Sequence, residues 1–223
     1  MTVGRGQSGA RALAADRFPR RGGRFDSKVV YDAFRSQIRT GDLLFCSGVH
    51  PFSELIKMAT NSVWSHVAFV VRFDQIDRVM VFESVEPSGV RAIPLSKYIN
   101  DYENGEGYPG GLVLARHRRF PDNGQAEKLL SFGQYSIDQF GYRYDRDQIL
   151  KLAGRVVATR MGMIDKTSFD DDKALICSEY VEKCMLRVDI PVKAGKHGFV
   201  APSDFVIDRN VEHLVTLKNP IPR

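Results

Sequence analysis

Two apolar runs separated by four turn-like residues constrain this chain more than anything else in it. His66 to Phe73 (HVAFVVRF) and Val79 to Val85 (VMVFESV) flank Asp74 to Asp77. Both runs have strand length and are rich in β-branched and aromatic residues, so the segment predicts a β-hairpin. His66 heads the first strand. Glu83 follows Phe82 in the second, where an unpaired carboxylate is costly. If Asp74 and Gln75 form the turn, facing residue numbers sum to 149 and His66 lies opposite Glu83. If the loop spans Asp74 to Asp77, the sum is 151 and the two are diagonal neighbours on one face. Either register brings the carboxylate near the imidazole.

Around the hairpin the first half of the chain is strand-rich. Ser27 to Ile38 has the apolar spacing of a short helix, Leu43 to Cys46 reads as a buried strand, and Pro51 to Thr60 as a second helix. Gly89 to Ile93 and Leu112 to Ala115 read as further strands, with Leu95 to Tyr102 a short helix between them. The second half turns helical, at Gln125 to Phe140, at Gln148 to Arg160, and from Ala174 through Cys177 to Met185. Pro191 to Asp204 reads as a loop and Leu214 to Leu217 as a closing strand. Strands first and helices afterwards predict an α+β domain.

Charge narrows the function classes. The formal net charge is +5, and residues 1–25 carry all of it, with six arginines against Asp16 alone. The rest of the chain sums to zero, which argues against a nucleic-acid-binding surface on the folded body. We therefore expect a basic, flexible tail over residues 1–25 and one catalytic domain over residues 26–223. The tail lacks the apolar core of a secretion signal, and no run is long enough to span a bilayer, so a cytoplasmic location is the default expectation. Three cysteines (Cys46, Cys177, Cys184) and five scattered histidines suit neither a disulfide framework nor a zinc site, and no metal or other cofactor is expected.

Cys177 stands where a helix begins, after the short apolar step Ala174-Leu175-Ile176. A cysteine in a first helical turn feels the positive end of the peptide dipoles, which favours the thiolate, and the free N–H groups there can hold an oxyanion. By position alone a buried structural thiol is the stronger reading. His66 with Glu83 changes the balance, because a carboxylate-oriented imidazole is what a thiol nucleophile requires as its base. A plain ion pair at a sheet edge is the alternative. Cys184 is mid-helix, and Cys46 ends a strand with no helix dipole behind it.

Four segments carry a resemblance: Gly41-Asp42-Leu43-Leu44-Phe45, Trp64-Ser65-His66-Val67-Ala68, Phe82-Glu83-Ser84 and Cys177-Ser178-Glu179-Tyr180-Val181. In this order they resemble the permuted NlpC-type cysteine peptidases, over roughly Thr40 to Tyr180, with Pro202-Ser203-Asp204 a late feature. The resemblance implies a circularly permuted papain-like fold, an antiparallel sheet or small barrel packed on helices. It implies Cys177 as nucleophile, His66 as base and Glu83 as orienting third member. Asp42 would be structural, bonding backbone amides. Trp64, Tyr31, Tyr142, Tyr144 and Ser178 are candidate substrate-lining residues; for the aromatic rings, packing is the alternative role.

The expected activity is therefore that of a thiol amidohydrolase or peptidase working through a thioester, and the resemblance implies peptides related to bacterial cell wall. Lipid acyl transfer or thioester hydrolysis at the same site is the second reading. Its usual Asn-Cys-Glu-His-Phe surroundings are replaced here by Ile176-Cys177-Ser178-Glu179-Tyr180. A binding module with a silent site is the third.

Overall fold

The computed structural model describes residues 18–23, 25–143, 176–194 and 200–220. Six strands form one sheet: β1 (Leu43–Ser47), β2 (His66–Phe73), β3 (Arg78–Val85), β4 (Gly89–Pro94), β5 (Gly111–His117) and β6 (Val211–Lys218). They lie in the order β4-β3-β2-β1-β5-β6, every neighbouring pair antiparallel. β4 and β6 are edges, so the sheet is open and the small-barrel alternative does not hold. The hairpin takes the second of its two registers. Phe69 faces Phe82 and Arg72 faces Val79, because Asp74–Ile76 form a 3-10 turn and Asp77 closes it in the left-handed region at φ 48°.

Helices cover both faces, so period-two alternation along each strand feeds two cores. On one face Phe45, Val67, Phe69 and Phe82 pack with Phe132 of α4 (Ala126–Asp138), with Tyr180, Val181 and Cys184 of α5 (Cys177–Leu186), and with Phe205 of α6 (Pro202–Ile207). On the other face Leu44, Cys46, Ala68, Val70 and Val81 pack with Val30 and Tyr31 of α1 (Ser27–Phe34) and Leu95 and Tyr98 of α3 (Leu95–Asn100). Each large apolar side chain sealed in this way contributes roughly 1.5–3 kcal/mol. A further helix, α2 (Pro51–Thr60), fills the connection from β1 to β2 and ends in the left-handed Asn61.

Two segments differ from their sequence-based expectations. The loop expected up to Asp204 gives way to α6 at Pro202, where proline occupies the first turn and the Asp204 carboxylate accepts the Ala201 N–H at 2.8 Å. Phe18, inside the segment assigned to the tail, is buried against Phe45 and Trp64 at ring separations of 5.3 and 5.8 Å. Arg21 and Asn219 exchange two hydrogen bonds behind it. The folded body therefore begins no later than Phe18. The helix expected over Gln148 to Arg160 lies outside the described residues.

Asp42 is buried where the chain enters β1. Its carboxylate accepts the Arg39 N–H at 2.8 Å and bonds Arg116 of β5 through Nε at 2.6 Å and Nη2 at 2.8 Å. The expected amide contact is present, and the Arg116 clamp accompanies it.

Candidate active site

The candidate site lies at the end of β1 far from Asp42. Cys46 pairs directly with His66 across β1 and β2, so the imidazole sits where β2 begins. The approach to that point is tied down by Ser65, whose N–H donates to the Cys46 carbonyl at 3.0 Å and whose Oγ accepts the Gly48 N–H at 2.9 Å. β3 runs antiparallel to β2, so Glu83, two residues from the end of β3, returns to the same end of the sheet.

Helix α5 delivers the thiol to this end. Ile176 is extended (φ −73°, ψ 161°) and the helix starts at Cys177. The Glu179 carboxylate reaches back to the Ile176 N–H at 3.4 Å. Tyr180, one turn on, packs its ring on Phe69 at 5.6 Å and donates its hydroxyl to the Ser136 carbonyl at 2.8 Å. This anchorage holds α5 across β2 and β3 with its N-terminus over the head of β2. The N–H groups of a first helical turn have no intrahelical acceptor and so face whatever lies before the helix.

At this junction three side chains meet. Cys177 lies near enough to the His66 ring to raise its pKa. On the other side, His66 Nε2 lies 3.0 Å from Glu83 Oε2. With Nε2 engaged by the carboxylate, Nδ1 is the nitrogen left for sulfur. His66 is 14% exposed and Glu83 not at all. Burial alone would discharge the imidazole, but the charge and hydrogen bond of Cys177, and then those of Glu83, lift its pKa to about 10. Burial likewise works against the Glu83 carboxylate. His66, Arg91 and Tyr98 outweigh it and hold its pKa below the ordinary value. The neighbouring Cys46 has no such support: burial, then Glu83 and Cys177, push its pKa well up.

Arg91 and Tyr98 are the members that sequence reasoning missed. Arg91 is the direct partner of Glu83 across β3 and β4. Its Nε donates to Glu83 Oε1 at 3.0 Å, and Nη2 stands 2.9 Å from the same oxygen as an ion pair. The Tyr98 hydroxyl, on α3, donates to Oε2. The available signal was the need of a strand-buried carboxylate for partners, together with the register of the next hairpin, which places 91 opposite 83.

The candidate substrate-lining residues separate. Tyr142 is exposed and lies at the catalytic end, where its carbonyl accepts the Val90 N–H at 2.9 Å. Gly89, at φ +71°, permits that approach, since a Cβ there would meet the Tyr142 carbonyl. Trp64 is buried among Phe18 and Phe45, so its ring surface is spent on the core. Tyr31 is buried on α1 in the second core, with Arg35 and Asp77 for neighbours, at the hairpin-turn end of the sheet. Ser178 is buried beside Cys177. Tyr144 lies outside the described residues.

The model of the permuted papain-like amidase enzymes, the YaeF/YiiX, C92 family, matches residues 37–151, just over half of the chain. The chain belongs to this family. The matched segment of this permuted papain-like amidase contains His66, Glu83, Arg91 and Tyr98 and ends before Cys177. A crystal structure described as metalloprotein yiiX from Escherichia coli O157:H7 has the same fold, with a TM-score of 0.57 at 20% identity over 81% of this chain and 98% of that one. No curated protein matches the chain. Among the described residues no three His, Cys, Asp or Glu side chains cluster to hold a metal ion, and no helix is long and apolar enough to cross a membrane.

Proposed function

We propose that this amidase-family chain hydrolyses an amide bond in a peptide, with Cys177 as nucleophile, His66 as base and acid, and Glu83 as the group that orients His66. The observation that supports the reading is the His66–Glu83 hydrogen bond at the head of β2, with Cys177, the first residue of α5, acting on the same imidazole. The thiolate adds to the amide carbon, and first-turn N–H groups of α5 hold the oxygen as it becomes negative. The C–N bond then breaks and the His66 imidazolium gives its proton to the departing amine, leaving a thioester on Cys177. Water enters, His66 takes one of its protons, and the hydroxide released by that transfer frees the acid and regenerates the thiol. Tyr142, exposed at the same end of the sheet, is proposed to contact the substrate. The E. coli neighbour is described as a metalloprotein; the donor set of the described residues does not fit such a centre.

The test is incubation with a panel of peptide amides and fatty-acyl esters, followed by intact-mass analysis. An acyl adduct on Cys177 from the peptides, absent in Cys177→Ala and formed about a hundred- to ten-thousand-fold more slowly in His66→Ala, is the expected result. An adduct from acyl esters alone would transfer the site to acyl chemistry. No adduct from either class would overturn the enzymatic reading.

A further inference from the structure

We infer that Arg91 and Tyr98 are positioning residues that fix Glu83 in one orientation, and that the His66–Cys177 pair depends on them. The inference rests on the function proposed above and adds to it the part of the site outside the triad.

A strand-borne glutamate has three side-chain torsions, and its carboxylate can turn to present either oxygen. Here the oxygens are assigned different tasks. Oε1 takes the Arg91 Nε–H and the ion pair to Nη2, and Oε2 takes His66 and Tyr98. Nearly every lone-pair position of the carboxylate is filled, so turning it breaks several bonds at once. The holders are rigid themselves. Arg91 stands in the β3–β4 ladder directly opposite Glu83. Tyr98 is buried and wedged at ring separations of 4.8 and 5.4 Å from Tyr102 and Tyr108. Burial and the nearby Glu83 charge push the Tyr98 phenol well up in pKa, so it stays protonated and remains a donor.

Charge completes the case. Glu83 is fully buried, and an ionised carboxylate there is maintained by its cations. The groups that face it are His66 from β2, Arg91 from β4, Tyr98 from α3, Cys46 from β1, and more distantly Tyr102, Tyr108 and Cys177. Only His66 and Arg91 of this set are cations. His66 gives up its proton during turnover, and at that moment Arg91 is the one remaining counter-charge. Without it Glu83 would take a proton and release the imidazole.

The experiment is the pH profile of Cys177 carboxamidomethylation by iodoacetamide, read by mass, in the full chain and in Arg91→Met, Arg91→Lys and Tyr98→Phe. The acid limb of the profile is expected to move towards neutral pH by about one unit or more in Arg91→Met, the size of change that loss of a salt-bridged arginine makes to a carboxylate. Tyr98→Phe is expected to move it the same way by less. Arg91→Lys, which keeps the charge and loses the paired donors, is expected to fall between Arg91→Met and wild type. It also serves as the probe if Arg91→Met does not fold. A limb that stays with wild type in both Arg91→Lys and Tyr98→Phe, whatever happens to the melting temperature, overturns the positioning role. Failure of the proposed function gives a different result, a wild-type Cys177 that labels no faster than Cys46 and Cys184.

Discussion

Cys46 and His66 are direct partners across β1 and β2, which sets a second thiol beside the imidazole whose pKa Cys177 also raises. The two sulfurs differ in their surroundings. Cys46 is wholly buried in an apolar layer with Leu44, Ala68 and Val70, and burial, reinforced by Glu83 and Cys177, pushes its pKa well up. Cys177, 4% exposed, starts a helix and acts on the His66 ring. Cys184 is buried in the other core and pushed up to about 12, chiefly by burial.

Iodoacetamide near neutral pH should therefore modify one thiol in the native protein, Cys177, because burial holds Cys46 and Cys184 protonated and the thiolate is the reactive form. Peptide mapping checks this: Cys46 and Cys184 should label only after urea is added. Equal modification of all three in the absence of denaturant would contradict the assignment.

His66 should titrate near pH 10 in the native protein, and Cys177→Ala should lower its midpoint substantially. The reason is the balance of causes. Burial pulls the imidazole down, and Cys177 is the larger of the two groups that lift it, Glu83 the smaller. Removing the sulfur leaves Glu83 to oppose burial alone. Imidazole proton shifts followed by NMR across pH 5 to 11 measure both midpoints, and an unchanged midpoint in Cys177→Ala would show that the sulfur does not act on the ring.

The same shift has a consequence for stability. A histidine with a folded pKa raised from 6.5 to about 10 adds stability that is fully present below pH 6.5 and is lost as pH rises towards 10. Urea midpoints should fall over that window, and the fall should shrink in Cys177→Ala. Glu83 acts with the opposite sign: its lowered pKa gives stability present above its ordinary range and lost in acid.

The hairpin and its pairing were legible in the sequence because alternation and burial leave few registers, and the two candidates both joined His66 to Glu83. The strands of both halves, α2 and the start of α5 were legible for the same reason, each having a clear apolar period or a helix-start signal. What escaped was what depends on packing between elements distant in sequence. Tyr98 reads as one apolar residue of a short helix, and only the fold brings its hydroxyl to Glu83. Trp64 and Tyr31 read as either pocket walls or packing, because an aromatic ring gives no hint of which face of a sheet it will fill. Phe18 was hidden in an arginine-rich segment whose charge dominated its reading.

Asp42→Ala should cost about 3–5 kcal/mol of folding stability, the usual effect of breaking one side of a buried ion pair. Asp42 is 1% exposed, and its removal strands the Arg116 guanidinium, which is itself 21% exposed, along with the Arg39 N–H. The site should be spared, because Asp42 precedes β1 whereas Cys46, the partner of His66, stands near its other end. Urea unfolding should show a lower midpoint at an unchanged m-value, while the folded fraction labels Cys177 at the wild-type rate. The double variant Asp42→Ala/Arg116→Ala should lose less than the sum of the two single losses, since the second deletion removes the charge that the first left unpaired. Additive losses would mean that the two side chains contribute independently, and that the clamp between the entry to β1 and β5 is not what holds this end of the sheet.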